Sequence, residues 1–425
     1  MLTLTVLTLV GFVVVQSRLS GSGADLGRLQ ISAIQMEQEP AAEPEEILIS
    51  GDSGQTGRTA ATQTERQSGN GSQTAESETG PSRMTLTFGG TVAIEDNVRK
   101  SCYSSDSRKY DFSLVMNLLR THFQGDGSVV FLENLLIDNT KVNDTVAPAS
   151  AAEMLSEGGV TMAAAGFGKA FEQELSGIAS TRRALTAEGV TPLGLREAET
   201  DDAGTMVEKD GIRTALLSYT GMMSSSARKS MEKKGVSFAV AEADPQQIAE
   251  EIQEARSRGA QTVIVLMNWG KAGGKNPDKN QKALARQIAE AGADLIIGAG
   301  SRMPQAPEWI SVTGGDGNSR QVLCVYSLGT LVSDNRKQVN RMSGCLLRVS
   351  IEADREKGTV ISDLAYIPTY LWRYRQDGAY YYRCLAANQT PPDGMDSDQQ
   401  KYMARAAETI AETLKDSGIR VVEQP

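Results

Sequence analysis

The sequence predicts an α/β fold, and three observations carry that prediction. The stretch 262–305, TVIVLMNWGKAGGKNPDKNQKALARQIAEAGADLIIGAGSRMPQ, reads as a strand, a turn-rich loop, a helix and a second strand. Strand-length apolar runs and helically spaced segments recur on both sides of it, the pattern of parallel strands joined by crossovers. The chain has 425 residues, 40% of them hydrophobic, which is enough for a large core but too long for one compact domain without tails.

Taken in order, residues 1–17 are expected to form a transmembrane or signal-anchor segment, because 2–15 (LTLTVLTLVGFVVV) is almost wholly apolar. The run is short for a spanning helix, which needs roughly 20 residues. It also lacks a basic leader and a small-residue cleavage site, and a signal peptide and a buried core helix are the other readings. Residues 18–83 are expected to be a disordered linker, acidic at first and then rich in Ser, Gly and Thr. Such a composition buries too little apolar surface to offset chain entropy. The globular part opens with a strand at 84–90 (MTLTFGG), a helix over 110–122, and a strand over 128–132 that ends in Glu133 and Asn134. Leu175, Ile178, Ala179, Arg182 and Leu185 space helically, and Gly189 stops that helix. A strand over 211–222, a charged linker over 224–234 and an amphipathic helix over 244–259 (Ile248, Ile252, Ala255) lead to the central unit.

In that unit 263–267 has the length and branching of a buried strand. Ala283, Leu284, Ile288 and Ala291 form a helix face, Gly292 caps it, and 294–297 is the next strand. Beyond lie a strand over 320–329 and an antiparallel pair, 343–353 and 358–367, around a charged turn. Residues 372–384 are rich in tyrosine and arginine. The terminal helix, 396–418, has Ser397 and Gln400 as an expected capping box and Met403, Ala407, Ile410 and Leu414 on one face.

The formal net charge of −10, with no local run of basic residues, excludes a nucleic-acid partner as an expectation. The single histidine, His122, falls near a predicted helix end and reads as a capping or surface residue. The four cysteines contain no Cys-x-x-Cys pair, so zinc is not indicated. Cys324 and Cys345 lie on consecutive strand-like runs and read as buried apolar residues in preference to a bridge.

In units of parallel strands, chemistry sits in the loops past the strand carboxyl ends. Here those loops hold Asn268-Trp269-Gly270 and residues 299–305. Over roughly residues 84–370 the motifs resemble the CapA proteins, the poly-γ-glutamate capsule biosynthesis family. The frame matches at Trp269, Gly270, Pro277, Gln281, the run AGADLIIG, Gln305 and the Tyr-Ser-Leu-Gly at 326–329. The resemblance implies a four-layer α/β/β/α metallophosphoesterase-like sandwich over 84–372 and a divalent metal centre; residues 373–425, with the terminal helix, are expected to be a C-terminal extension beyond it. The ligands the family places there are replaced in this chain: Gly90 for aspartate, Phe131 for asparagine, Gly168 and Lys169 for Asn-His, Asn268 for histidine, and Ala299, Gly300 and Arg302 in the histidine-rich loop. Glu133 is kept.

A two-metal hydrolase needs anionic and imidazole ligands, so no metal and no cofactor is expected. Glu133 and Asn268 are the candidate catalytic residues; Lys169, Trp269, Arg302, Gln305 and Tyr326 are the candidate ligand-binding residues. Lys169 and Arg302 either hold an anionic group, such as a phosphate or a γ-glutamyl carboxylate, or pair with Glu133 or Glu172. Trp269 and Tyr326 either stack on a ligand or belong to the core. The resemblance implies a role in capsule or cell-surface polymer biosynthesis. The expected protein is single-pass and membrane-tethered, with its domain outside the cytoplasm, and acts as a non-catalytic binding or scaffold component. Its expected partners are the membrane and an anionic surface polymer or capsule-assembly proteins. The alternative is an active hydrolase, transferase or metallophosphoesterase with a rebuilt site.

Overall fold

Apolar runs bounded by turn residues become the strands of two mixed sheets in a computed structural model, which describes residues 82–423 apart from 139–140, 314–316, 318 and 355–357. The expected anchor, nearly all of the expected linker and the centre of the charged turn lie outside the described residues. The first sheet begins with β1 (Arg83–Val92), β2 (Gly127–Leu132) and β3 (Met162–Ala164). Helix α1 (Glu174–Ala187) then leads to β4 (Thr191–Leu193). Each of these four strands runs parallel to the next.

The chain then builds the second sheet. It contains the hairpin β5 (Gly204–Lys209) and β6 (Ile212–Thr220), helices α2 (Ser225–Lys233) and α3 (Pro245–Ser257), and the central unit β7 (Thr262–Asn268), α4 (Lys279–Glu290) and β8 (Leu295–Ala299). The antiparallel strand β9 (Glu308–Thr313) and β10 (Ser319–Val325) complete it. Its order is β9-β10-β8-β7-β6-β5, with β6, β7, β8 and β10 parallel. The chain returns to the first sheet through β11 (Thr330–Val332), which lies parallel to β1. It finishes that sheet with β12 (Ser343–Asp354), β13 (Gly358–Gln376) and β14 (Ala379–Ala386), all antiparallel. Helix α5 (Ser397–Leu414) and β15 (Arg420–Val421), which pairs with β13, end the described chain.

Side-chain alternation along the strands assigns the layers, because successive strand residues face opposite sides. In β7, Ile264 and Leu266 enter a core shared with Met84, Leu86 and Phe88 of β1, whereas Val263, Val265 and Met267 join a core with Ile248 and Ile252 of α3 and Ala285 and Ile288 of α4. The outer face of the first sheet is covered by α1 through Ile178 and Leu185 and by short helical turns carrying Met116 and Leu155. The result is four layers: helices, sheet, sheet, helices. The β1–β2 register shifts between Phe88 and Thr91, at Gly89 and Gly90. Beyond this bulge Val92 faces the outer core, a re-aiming that bulges produce.

Four expectations need correction. The helix expected over 110–122 is only Ser113–Met116 plus a 3-10 turn, Asn117–Leu119. Its apolar residues, Val115, Met116, Leu119 and Phe123, are buried without sustaining a regular helix. The charged segment 224–234 is not a linker but α2, with Ser224 accepting a hydrogen bond from the Ala227 amide as N-cap. The cap of α5 is Asp396, accepting from the Gln399 amide, not Ser397 with Gln400. The boundary expected between 372 and 373 falls inside β13, and α5 places Ile410 and Leu414 in the core between the sheets. The C-terminal residues therefore complete the sandwich; they do not extend it.

Candidate functional site

Parallel strands of both sheets end on the same side, and four segments past those ends converge. Glu133 follows the last residue of β2, Asn268 is the last residue of β7, Arg302 sits in the loop after β8, and Glu95 lies three residues past β1. Arg302 donates from Nε to Glu133 Oε2 at 2.7 Å and from a terminal nitrogen to Glu95 Oε1 at 2.6 Å. Asn268 Nδ2 donates to Glu133 Oε1 at 3.0 Å. The second oxygen of Glu95 accepts from the Ser333 hydroxyl at 2.8 Å and the Asp334 amide at 2.6 Å. Thr220 Oγ1 donates to the Asn268 backbone carbonyl at 3.3 Å. Every carboxylate oxygen of this cluster is thus engaged.

The backbone holds the guanidinium in place at a cost. Arg302 adopts φ +57, a left-handed conformation that disfavours side chains by about 1–2 kcal/mol. Thr330 Oγ1 donates to the Arg302 carbonyl at 3.0 Å, and the neighbouring Ser301 hydroxyl donates to the Met303 carbonyl at 2.9 Å. Burial acts to lower the Arg302 pKa, but the charges of Glu133 and then Glu95 outweigh it and hold the group above its ordinary value. The cation is fixed.

The cluster forms the floor of a cleft of about 650 Å³. Phe167, Phe171 and Met222 give the cleft an apolar side, the serines of α2 form one wall, and Lys169 and Glu172 stand at the surface. Lys169 pairs with Glu172 at 3.6 Å, and Glu172 accepts from the Thr145 hydroxyl at 2.8 Å.

A divalent metal does not fit this donor set. Among the described residues no group of three or more His, Cys, Asp or Glu side chains is arranged to hold an ion. The two converging carboxylates already bind a guanidinium, which would repel a second cation in the same place. Phe131 and Ala299, which stand where the resemblance expects ligands, face the core between the sheets. At Gly90 a Cβ would lie 2.4 Å from the Gly329 carbonyl oxygen, and at Gly168 it would lie 2.7 Å from the Met222 carbonyl oxygen. Neither backbone position accepts a side chain as it stands.

Of the residues singled out in the sequence, Glu133, Lys169, Asn268 and Arg302 line the cleft. Three others do not. Trp269 is 2% exposed, stacks on Tyr326 and donates from its indole to the Tyr326 carbonyl at 2.9 Å. The Tyr326 hydroxyl donates to Glu308 at 3.1 Å, on the outer face of the second sheet. Gln305 is a buried brace: it accepts from Gln281 at 3.1 Å and donates to the Gly274 carbonyl at 3.0 Å. His122 is half-buried away from the cleft, and burial holds its pKa below 6.5. All four cysteines are buried free thiols. Sequence reasoning missed Glu95, although an acid just past a strand end was a usable signal, and missed the α2 wall, whose signal was the Ser224 cap.

Residues 85–335 match the family described as bacterial capsule synthesis protein PGA_cap. The chain belongs to this family. Two curated relatives agree with that membership. The PGA biosynthesis protein CapA of Bacillus subtilis (strain 168) is 32% identical over 125 residues, 29% of this chain and 29% of the relative. The capsule biosynthesis protein CapA of Bacillus anthracis is 27% identical over 158 residues, 36% of this chain and 34% of the relative. The matched segments therefore span about a third of the curated relatives. Among solved structures, the calcineurin-like phosphoesterase YfkN from Bacillus subtilis overlaps at a TM-score of 0.37 and 10% identity, covering 79% of this chain and 99% of that one. Within the PGA_cap family, this chain carries an arginine clasped by two carboxylates at its strand ends.

Proposed function

We propose that this PGA_cap protein is a binding or scaffold component of capsule or surface-polymer assembly, of the poly-γ-glutamate type that its relatives' names indicate, and that it does not catalyse by a metal route. The observation that carries this reading is Arg302 clasped between Glu133 and Glu95 at 2.6 Å each. A divalent pair would need those carboxylates free and imidazoles beside them; the clasp instead engages both carboxylates with a permanent guanidinium. The four-layer arrangement supports a metallophosphoesterase-like scaffold put to a binding use. Residues 1–17 would tether the domain to a membrane, with the domain outside the cytoplasm.

The test is metal analysis of the full chain, purified without chelator, together with thermal unfolding in added Mn²⁺ or Zn²⁺. We expect substoichiometric metal and no shift of Tm. Near-stoichiometric metal, or hydrolysis of γ-glutamyl or phosphoester substrates that Glu133→Gln abolishes, would overturn the reading in favour of a rebuilt enzyme.

A further inference from the structure

A second cleft, of about 580 Å³, lies away from the carboxylate clasp, between α5, β13 and the segment 336–342. Its charge is one-sided. Lys275, Arg336, Lys337, Arg373 and Arg405 line it, and no carboxylate does. They come from four separate parts of the chain, so no run of basic sequence announces them, and they stand out against a net charge of −10.

Among the described residues none of the five joins a carboxylate. Arg336 is spent on neutral partners, donating to the Leu371 carbonyl at 2.8 Å and the Tyr370 hydroxyl at 3.2 Å. Arg373 lies over the Tyr380 ring at 4.5 Å. Lys275, Lys337 and Arg405 are exposed, and their side chains have no hydrogen-bond or ion-pair partner among the described residues. Burial first, and the charge of Arg373 further, pull the Arg336 guanidinium below its ordinary value. Five like charges around one concavity repel one another, and an anion that enters it relieves that repulsion. The space exceeds what one phosphate or carboxylate fills, and the cations ring it from separate elements. This suits a chain of anionic groups better than a single ion.

Two loops join this cleft to the central one. The β7–α4 loop gives Lys275 to the basic cleft and Ala272 to the central cleft. The segment after β11 holds Glu95 through Ser333 and Asp334, then supplies Arg336 and Lys337 a few residues on. We propose that the basic cleft is a binding groove for an extended polycarboxylate chain. The anion site stands on the charge of the cleft alone; the choice of carboxylate over phosphate rests on the surface-polymer reading above. Guanidinium forks pair with carboxylates in bidentate fashion, and Tyr402, which also lines the cleft, offers an apolar face to the methylene stretches between charges.

The test is titration of the full chain with fluorescently labelled poly-γ-glutamate, read by anisotropy at low and physiological salt. The triple variant Lys275→Glu, Lys337→Glu, Arg405→Glu changes only exposed side chains, and an unchanged Tm confirms its fold. We expect binding by the native chain that weakens with salt and at least a tenfold loss in the variant. No binding by the native chain, or a variant that binds within twofold of it, overturns the groove. Binding of inorganic polyphosphate but not of poly-γ-glutamate overturns the carboxylate assignment. Metal uptake by the full chain would strike the clasp reading and leave this titration untouched, so the two fail separately.

Discussion

Arg302 concentrates the consequences at the scale of single residues. Its guanidinium is a quarter exposed, while Glu133 is nearly buried at 9%. Removing one member of such a pair strands the others at roughly 3 kcal/mol, whereas replacing the whole set by neutral groups is close to neutral. Arg302→Met should therefore lower the denaturation midpoint by about that free energy with unchanged m-value, and adding Glu133→Gln and Glu95→Gln should recover most of it. If the triple variant were no better than the single one, the clasp would not be an electrostatic unit. The lone histidine gives a second prediction. Burial depresses the His122 pKa below 6.5, so the unfolded chain binds a proton first as pH falls. Stability is full above 6.5 and declines below it until the folded histidine protonates too. His122→Gln should flatten that limb of a stability–pH curve. The acid limb below 3.8 should remain, because Asp363 is held low by Arg420 and Asp201 by the Glu197 backbone amide.

Among the elements, α4 is the best specified. Asp278 accepts from the Gln281 amide at 2.9 Å, and Gln281 accepts in return from the Asp278 amide at 3.1 Å. Asp278→Ala should cost about 1 kcal/mol. Gln281→Ala should cost more, because it also strands the buried Gln305 amide. Urea denaturation of the two variants would rank them, and the reverse order would mean that the cap dominates. The same elements explain what the sequence makes legible. The strands β7 and β8 are runs of branched apolar residues between turn residues, and each is buried throughout. Helix α2 is hidden because Met231 is its only buried residue, so no apolar stripe marks it. Glu95 is half hidden: an acid just past a strand end marks the position, but its partner lies 207 residues away, so the sequence does not announce their meeting. Glu133, Asn268 and Arg302 are legible because each sits at a strand end within a matched motif. The basic cleft is illegible because the fold alone assembles it.

Taken as a whole, the molecule depends on its C-terminal third. Strand β13 runs from Gly358 to Gln376 and pairs with β12, β14 and β15. Helix α5 buries Met403 and Ala406 against Tyr370 and Trp372, and inserts Ile410 and Leu414 between the sheets. A chain stopped at residue 372 should therefore lose its cooperative thermal transition and its near-ultraviolet circular dichroism. A truncated chain that melted like the full one would show that the C-terminal elements are accessory.

The close approach of Gly329 to Gly90 also limits which substitutions the site accepts. A carboxylate at Gly90 collides with backbone, not with a side chain that can swing aside, and Gly168 is blocked in the same way by Met222. Placing a ligand side chain at either position would require a main-chain segment to move first. The side chains that line the clefts are thus freer to change than the two glycines, where main chain itself forbids a ligand.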